Sequence, residues 1–278
     1  MSANLKNLVL AELFQLRKRA STWVLLGVWG ALAVFFGYLL PYLLENDAGG
    51  NPMLADMLLP ENLVANLVTG VPFYGGAITL MLGVITVGSE YGWGTHKTMY
   101  TQRPQRGLVT TARVIAIGIV ILLFAAVPFV LGAIASVIIA VADGAAISWP
   151  SVSDLLMGTL ASWFILFAWA AIGILLATLT RGTSMAIGIG IIYSIMLEGL
   201  ISNFADNISW LSPLINGFIR ANSYSLIEPL MGGGTIDDGP GGFNGPFVGV
   251  SQSLVVLTMW IVVSLGLSWW LIRTRDVD

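Results

Sequence analysis

The chain of 278 residues is 56% hydrophobic and 10% charged, with a mean hydropathy of +0.86. A soluble domain carries about 25% charged residues, so the composition points to an integral membrane protein rather than a soluble enzyme. The formal net charge of −3 says little alone, because what matters in a membrane protein is where each sign falls; no nucleic-acid partner is suggested, and the lack of cysteine excludes disulfides, thiolate metal sites and a cysteine nucleophile.

In chain order, LKNLVLAELFQLRKR comes first. It places Leu5, Leu8, Val9, Leu13 and Leu16 at helical spacing, with Lys6, Glu12, Gln15 and Arg19 turned elsewhere. This pattern suits a helix over residues 1–20 lying in the membrane interface; a simple extension of the first span is the alternative. Arg17, Lys18 and Arg19 then precede an apolar run from Ala20 to Leu44. That run is too long for a signal-peptide core and reads as a retained span.

A helix needs about 20 apolar residues to cross the hydrocarbon. Further uncharged runs of sufficient length lie at Asn62 to Ser89, Val114 to Ala142, Leu155 to Thr180 and Gly239 to Ile272. A less regular run from Gly182 to Phe204 is interrupted by Glu198. The expected fold is therefore all-α: one transmembrane domain over 1–278 with six spans. Pro128 predicts a kink in the third span. Trp23, Trp149, Trp163, Trp210, Trp269 and Trp270 fall where an aromatic belt lies. Gly182, Ala186 and Gly190 form a small-residue ridge suited either to a dimer axis or to packing within one subunit.

Six crossings put both termini on one side. Lys6, Arg17, Lys18, Arg19, Lys97, Arg103, Arg106, Arg113, Arg181, Arg273 and Arg275 then share that side, and Arg220 alone falls opposite. By the positive-inside rule the basic side is cytoplasmic, and the chain is expected to be multi-pass in the plasma membrane with both termini inside.

The segment from Glu90 to Arg113, EYGWGTHKTMYTQRPQRGLVTTAR, is a strongly basic interruption between apolar runs. Gly92 and Gly94 permit a sharp turn, Thr95 is placed to cap a short helix, and Pro104 stops it. Glu90 has Lys97, Arg103 and Arg106 as sequence neighbours with which to form an exposed ion pair. The segment reads either as a docking element or as a plain topological anchor. The external segment, residues 205–247, divides at Pro229. Its first half predicts one or two short helices dipping into the outer leaflet; its second is a Gly-rich connector, whose Asp237 and Asp238 read as solvated rather than as a cation site.

No GxxxxGK[ST] motif and no HExxH occur, and His96 is the only histidine. No catalytic or metal-ligating set is expected, and any ATP dependence must come from a partner. The chain is not expected to be an enzyme itself. Within the spans Glu198 is the one ionisable group, which marks it as a functional candidate. With Tyr193 and Asn203 it either faces the outer mouth of a translocation path, or serves structurally by pairing with Arg220 or capping outer helices.

The pattern E-Y-x-x-G-T-x-K at Glu90 to Lys97, followed by R-P-x-R at Arg103 to Arg106, resembles the cytoplasmic loop of type-two ABC transporter permeases. The N-terminal helix with its late Glu12 and the cluster Arg17, Lys18, Arg19, the six spans, and Leu211-Ser212-Pro213 before the last span resemble the family as well, so the likeness covers the whole chain. The resemblance implies a six-span permease subunit of an exporter, paired with a second permease subunit as a homo- or heterodimer. Cytoplasmic ATPase subunits would dock beneath it and hold the ATP and Mg. It implies that Glu90, Gly94, Thr95, Lys97, Arg103 and Arg106 form the coupling loop, and that the substrate is amphipathic or hydrophobic and moves outward. Arg113 stands where many relatives carry lysine. The alternative is a non-transporting membrane scaffold or immunity protein that uses the same loop to hold a partner.

Overall fold

The computed structural model of the chain describes residues 5–47, 52–92, 106–198, 212–231 and 248–274. Within them every regular element is helical. In chain order these are α1 (Leu5–Lys18), α2 (Ala20–Val34), α3 (Leu40–Asp47), α4 (Pro52–Met57), α5 (Leu63–Val68), α6 (Gly76–Gly92), α7 (Arg106–Ala142), α8 (Val152–Thr180), α9 (Ser184–Ile191), α10 (Ser212–Ile215), α11 (Ile219–Ile227) and α12 (Val250–Thr274). Single π-helical turns at Phe35–Leu39, Val71–Gly75 and Ile192–Leu197 continue α2 into α3, lead into α6 and extend α9.

Among the described residues, five helical stretches are long and apolar enough to cross a membrane: Ala20–Leu44, Val71–Gly92, Gly107–Ala142, Val152–Thr180 and Val250–Thr274. The chain is a multi-pass membrane protein. Where the sequence predicts a further span from Gly182, the apolar helix Ser184–Ser194 is shorter. Helical backbone there continues to Glu198, and residues 199–211 lie outside the described part.

Local chemistry accounts for where the helices begin and end. Ser151 caps α8 by accepting the backbone N–H of Asp154 at 3.1 Å, which satisfies a donor that the first turn leaves open. At the far end of α8, Arg181 adopts the left-handed conformation at φ 52° and turns the chain back toward α9. The uninterrupted run expected from Asn62 to Ser89 is corrected. Helix α5 stops at Val68, a turn intervenes, and the membrane-length stretch starts at Val71 and ends at Gly92. Pro72 has no N–H to continue α5, and the Gly70 carbonyl instead accepts from Tyr74 and Gly75, at 3.0 and 3.3 Å, which widens the next turn into a π-helix. Helix α7, by contrast, runs on through Pro128 to Ala142.

Helices α6 and α8 make the most extensive contact in the bundle. A side chain at Gly83 would meet the Ala170 carbonyl, and one at Gly173 would meet the Leu80 carbonyl, so the two backbones touch at these glycines. Trp169 lies beneath Gly76, and Trp29, fully buried, donates its indole N–H to the Phe124 carbonyl at 2.9 Å. The small-residue ridge of Gly182, Ala186 and Gly190 makes packing contacts within the subunit: Gly190 abuts Leu80, and Gly182 lies against Gly88. Trp163 stacks on Phe167 at 5.6 Å and donates its indole N–H to the Gly118 carbonyl at 2.8 Å.

These contacts predict that Gly83→Val or Gly173→Val forces α6 from α8 and costs about 1–3 kcal/mol of stability, the usual range for overpacking. Gly27→Ala and Gly188→Ala, at positions with nothing within 4 Å of an added Cβ, are expected to be neutral or slightly stabilising. Thermal unfolding of the purified variants in detergent compares them.

Candidate functional site

Four charged side chains converge at the end of the bundle that carries most of the described basic residues. Arg113, a little over two turns into α7, is buried. Its Nη2 donates to Glu90 Oε1 at 2.6 Å and to Glu12 Oε1 at 3.4 Å, while its Nε donates to Glu12 Oε2 at 3.3 Å. One guanidinium thus bridges carboxylates from α1 and α6, a task suited to its planar fork of donors.

Arg19 completes the cluster. It is the joint between α1 and α2, with extended backbone at φ −75°, ψ 122°. From this corner its Nη1 donates to the Ile85 and Thr86 carbonyls, at 3.3 Å each, and to Ser89 Oγ at 3.1 Å. Its Nη2 stands 4.0 Å from Glu90 Oε1. Burial pulls the Arg19 guanidinium below its ordinary pKa, Glu90 acts in the opposite direction, and Arg113 adds to the lowering; arginine remains protonated throughout.

Two sequence expectations are corrected here. Glu12 does not turn away from the apolar face of α1 but shares the buried face with Leu8 and Leu16 at four-residue spacing. It points inward because Arg113 neutralises it there. Glu90, expected in an exposed pair, is instead 2% exposed and binds Arg113 and Arg19; the side chains of its expected partners Lys97, Arg103 and Arg106 lie outside the described part. The loop also has narrower bounds than 90–113, because α6 continues to Gly92 and α7 opens at Arg106. Gly94, Thr95, Lys97 and Arg103 lie outside the described residues, as does Asn203. Arg17 and Lys18 end α1 on its exposed side.

Arg113 is the functional candidate that sequence reasoning underrated. Its signal was available in the charge pattern: among the described residues, Glu12 and Glu90 are the acidic ones at the basic end. An acid that close to a membrane edge needs a cation.

A second polar arrangement occupies the opposite end. Helix α11 begins after the extended residue Phe218, with no side-chain cap of its own. Glu198, buried where the helical backbone following α9 ends, supplies one from a distance, accepting the backbone N–H groups of Ile219 at 3.1 Å and Arg220 at 2.9 Å. A carboxylate there also meets the positive end of the helix dipole. The Arg220 guanidinium lies 4.8 Å from the Phe73 ring centre and 5.8 Å from that of Tyr224, a cation–π arrangement. All of α11 is buried, against α12, α8 and the turn Val71–Gly75. Several of its polar groups are bonded: the Asn222 amide N–H groups donate to the Asn216 and Phe218 carbonyls, at 2.9 and 2.7 Å, and Ser225 Oγ accepts the Val248 N–H at 3.0 Å from 23 residues away. Tyr193 stands between Trp169 and Trp260, with ring centres 6.1 and 6.2 Å away.

The family described as Protein of unknown function (DUF2705) matches residues 30–277. The chain belongs to this family. The match takes in Glu90, Arg113, Glu198 and Arg220 and begins beyond Glu12 and Arg19. Comparison with curated proteins finds no match.

Arg113→Met strands two buried carboxylates and is expected to cost about 3–5 kcal/mol, the range for breaking a buried ion pair. Arg113→Lys, a point charge that cannot span both, should fall in between. Denaturation of the detergent-solubilised variants measures this, and a loss below about 1 kcal/mol for Arg113→Met, the value of an exposed pair, would remove the cluster's structural role.

At the other end, the lack of native cysteine allows a clean probe. A Ser223→Cys protein should resist a water-soluble maleimide, because Ser223 is buried. Adding Glu198→Ala should raise its labelling rate several-fold as α11 loses its cap; an unchanged rate would show that α11 is held without Glu198.

Proposed function

We propose that this protein is a six-span permease subunit of an ABC exporter. The spans are those described above together with one built on α9. Both termini face the cytoplasm in this reading, since the basic end carries Arg17, Lys18, Arg113, Arg181 and Arg273. A separate ATPase subunit binds ATP and Mg, docks at residues 93–105, and drives outward movement of an amphipathic or hydrophobic substrate through a dimer of permease subunits.

The observation that carries this reading is the buried cluster of Glu12, Arg19, Glu90 and Arg113. It joins α1, the end of α6 and the start of α7, and thereby clamps both helices that flank residues 93–105. A push on a flexible loop is lost in the loop. A push on a segment whose two ends are locked together moves the helices as one body, and α6 passes it to α8 through the glycine contacts. The resemblance of Glu90 to Arg106 to a coupling loop agrees with this mechanical arrangement.

Purification of the tagged chain from its native membrane should bring down an ATP-hydrolysing subunit whose turnover rises on assembly. Glu90→Ala and Arg106→Ala should lower that stimulation several-fold in complexes that still assemble. A stable chain without a nucleotide-hydrolysing partner would overturn the transport reading in favour of a membrane scaffold or immunity protein.

A further inference from the structure

Helix α1 has two opposed faces. Leu8, Glu12 and Leu16 are buried. The opposite stripe holds Leu10, Phe14 and then the pair Arg17 and Lys18, again three or four residues apart. Leu10 is 54% and Phe14 62% exposed, and Arg17 and Lys18 are exposed as well. Large apolar side chains this open, on a helix outside the candidate spans, need a cover.

Two observations identify it. The first is depth: the Trp23 indole N–H donates to the Arg17 carbonyl at 2.8 Å, and Trp23 and Val24 are exposed at the beginning of the first candidate span. The last turn of α1 therefore stands where lipid-facing surface meets headgroups, and the stripe continues that surface. The second is charge. The one acid of α1, Glu12, is turned inward and neutralised by Arg113, so the outward face is cationic without an opposing charge of its own. Lys18 Nζ lies 5.6 Å from the Phe14 ring centre, which brings the cationic and apolar groups into one patch. A helix so placed buries Leu10 and Phe14 at the acyl boundary and sets its cations among phosphates. A zwitterionic headgroup brings its own cation to that position; an anionic one does not.

We propose that the outward stripe of α1, with Phe14, Arg17 and Lys18 at its centre, is a binding site for anionic phospholipid. This inference is independent of the exporter reading.

The full chain, solubilised in detergent, is offered equal amounts of phosphatidylglycerol and phosphatidylcholine of the same acyl composition, and the retained lipid is counted by native mass spectrometry. The wild type should retain phosphatidylglycerol in preference. Arg17→Gln with Lys18→Gln should reduce that preference by about five-fold for each charge removed. Arg273→Gln, at a basic residue stacked 4.3 Å over Trp269, should leave it unchanged. Equal retention of both lipids by the wild type, an unaltered preference in the double variant, or an equal drop in Arg273→Gln overturns the proposal. A salt titration of the wild type needs no variant: the preference should fall as screening increases, and a salt-independent preference overturns the proposal too.

Discussion

Everything at the basic end of this protein follows from one guanidinium that is removed from water. Arg113 is stabilised there by Glu12 and Glu90, which reach it from two other helices, and Arg113 stabilises both carboxylates in turn, with Arg19 also beside Glu90. Helix α1, which has no span of its own, is held by this cluster against α7, and the corner at Arg19 is drawn onto the last turns of α6 by the same charges. The close backbone contacts of α6 with α8 then make that end continuous with the rest of the bundle.

The opposite end solves a different problem with the same kind of group. A short helix buried among longer ones has free N–H groups that neither water nor lipid can satisfy. Glu198 satisfies two of them across a gap of 21 and 22 residues. Arg220, one of those two donors, directs its guanidinium to aromatic faces on Phe73 and Tyr224. The candidate path residue Glu198 is thus committed to backbone, which fits the structural one of the two roles the sequence left open, while Tyr193 packs among tryptophans.

Much of the architecture was legible because a lipid solvent imposes long apolar runs, and these are visible without any structure. The helical class and the approximate placement of five membrane-length stretches follow from that alone. What escaped is what depends on contacts between distant segments. Among the described residues Glu90 has partners from α7 and from the α1–α2 corner, far from it in sequence, and no local pattern announces them. Periodicity assigned Glu12 outward because a charge was assumed to avoid the core, and a buried cation reversed that. Pro72 carried the signal for the break ahead of α6, hidden inside an unbroken apolar run. The π-helical turn at Phe35–Leu39 had no such marker, and its extra residue rotates the face presented beyond it. Arg113 was recognisable only by asking what two acids were doing on an otherwise basic side.

The buried cluster has a further property that its individual bonds do not convey. Among the described residues its two arginines and two glutamates sum to zero. A single charge moved across a membrane exchanges roughly 2.3 kcal/mol with each 100 mV of potential, whereas a neutral group displaced as a unit exchanges none in first order. Displacing this knot by itself is therefore electrically silent to first order, and any sensitivity of this end to membrane voltage resides in charges outside it, such as Arg17 and Lys18 on α1.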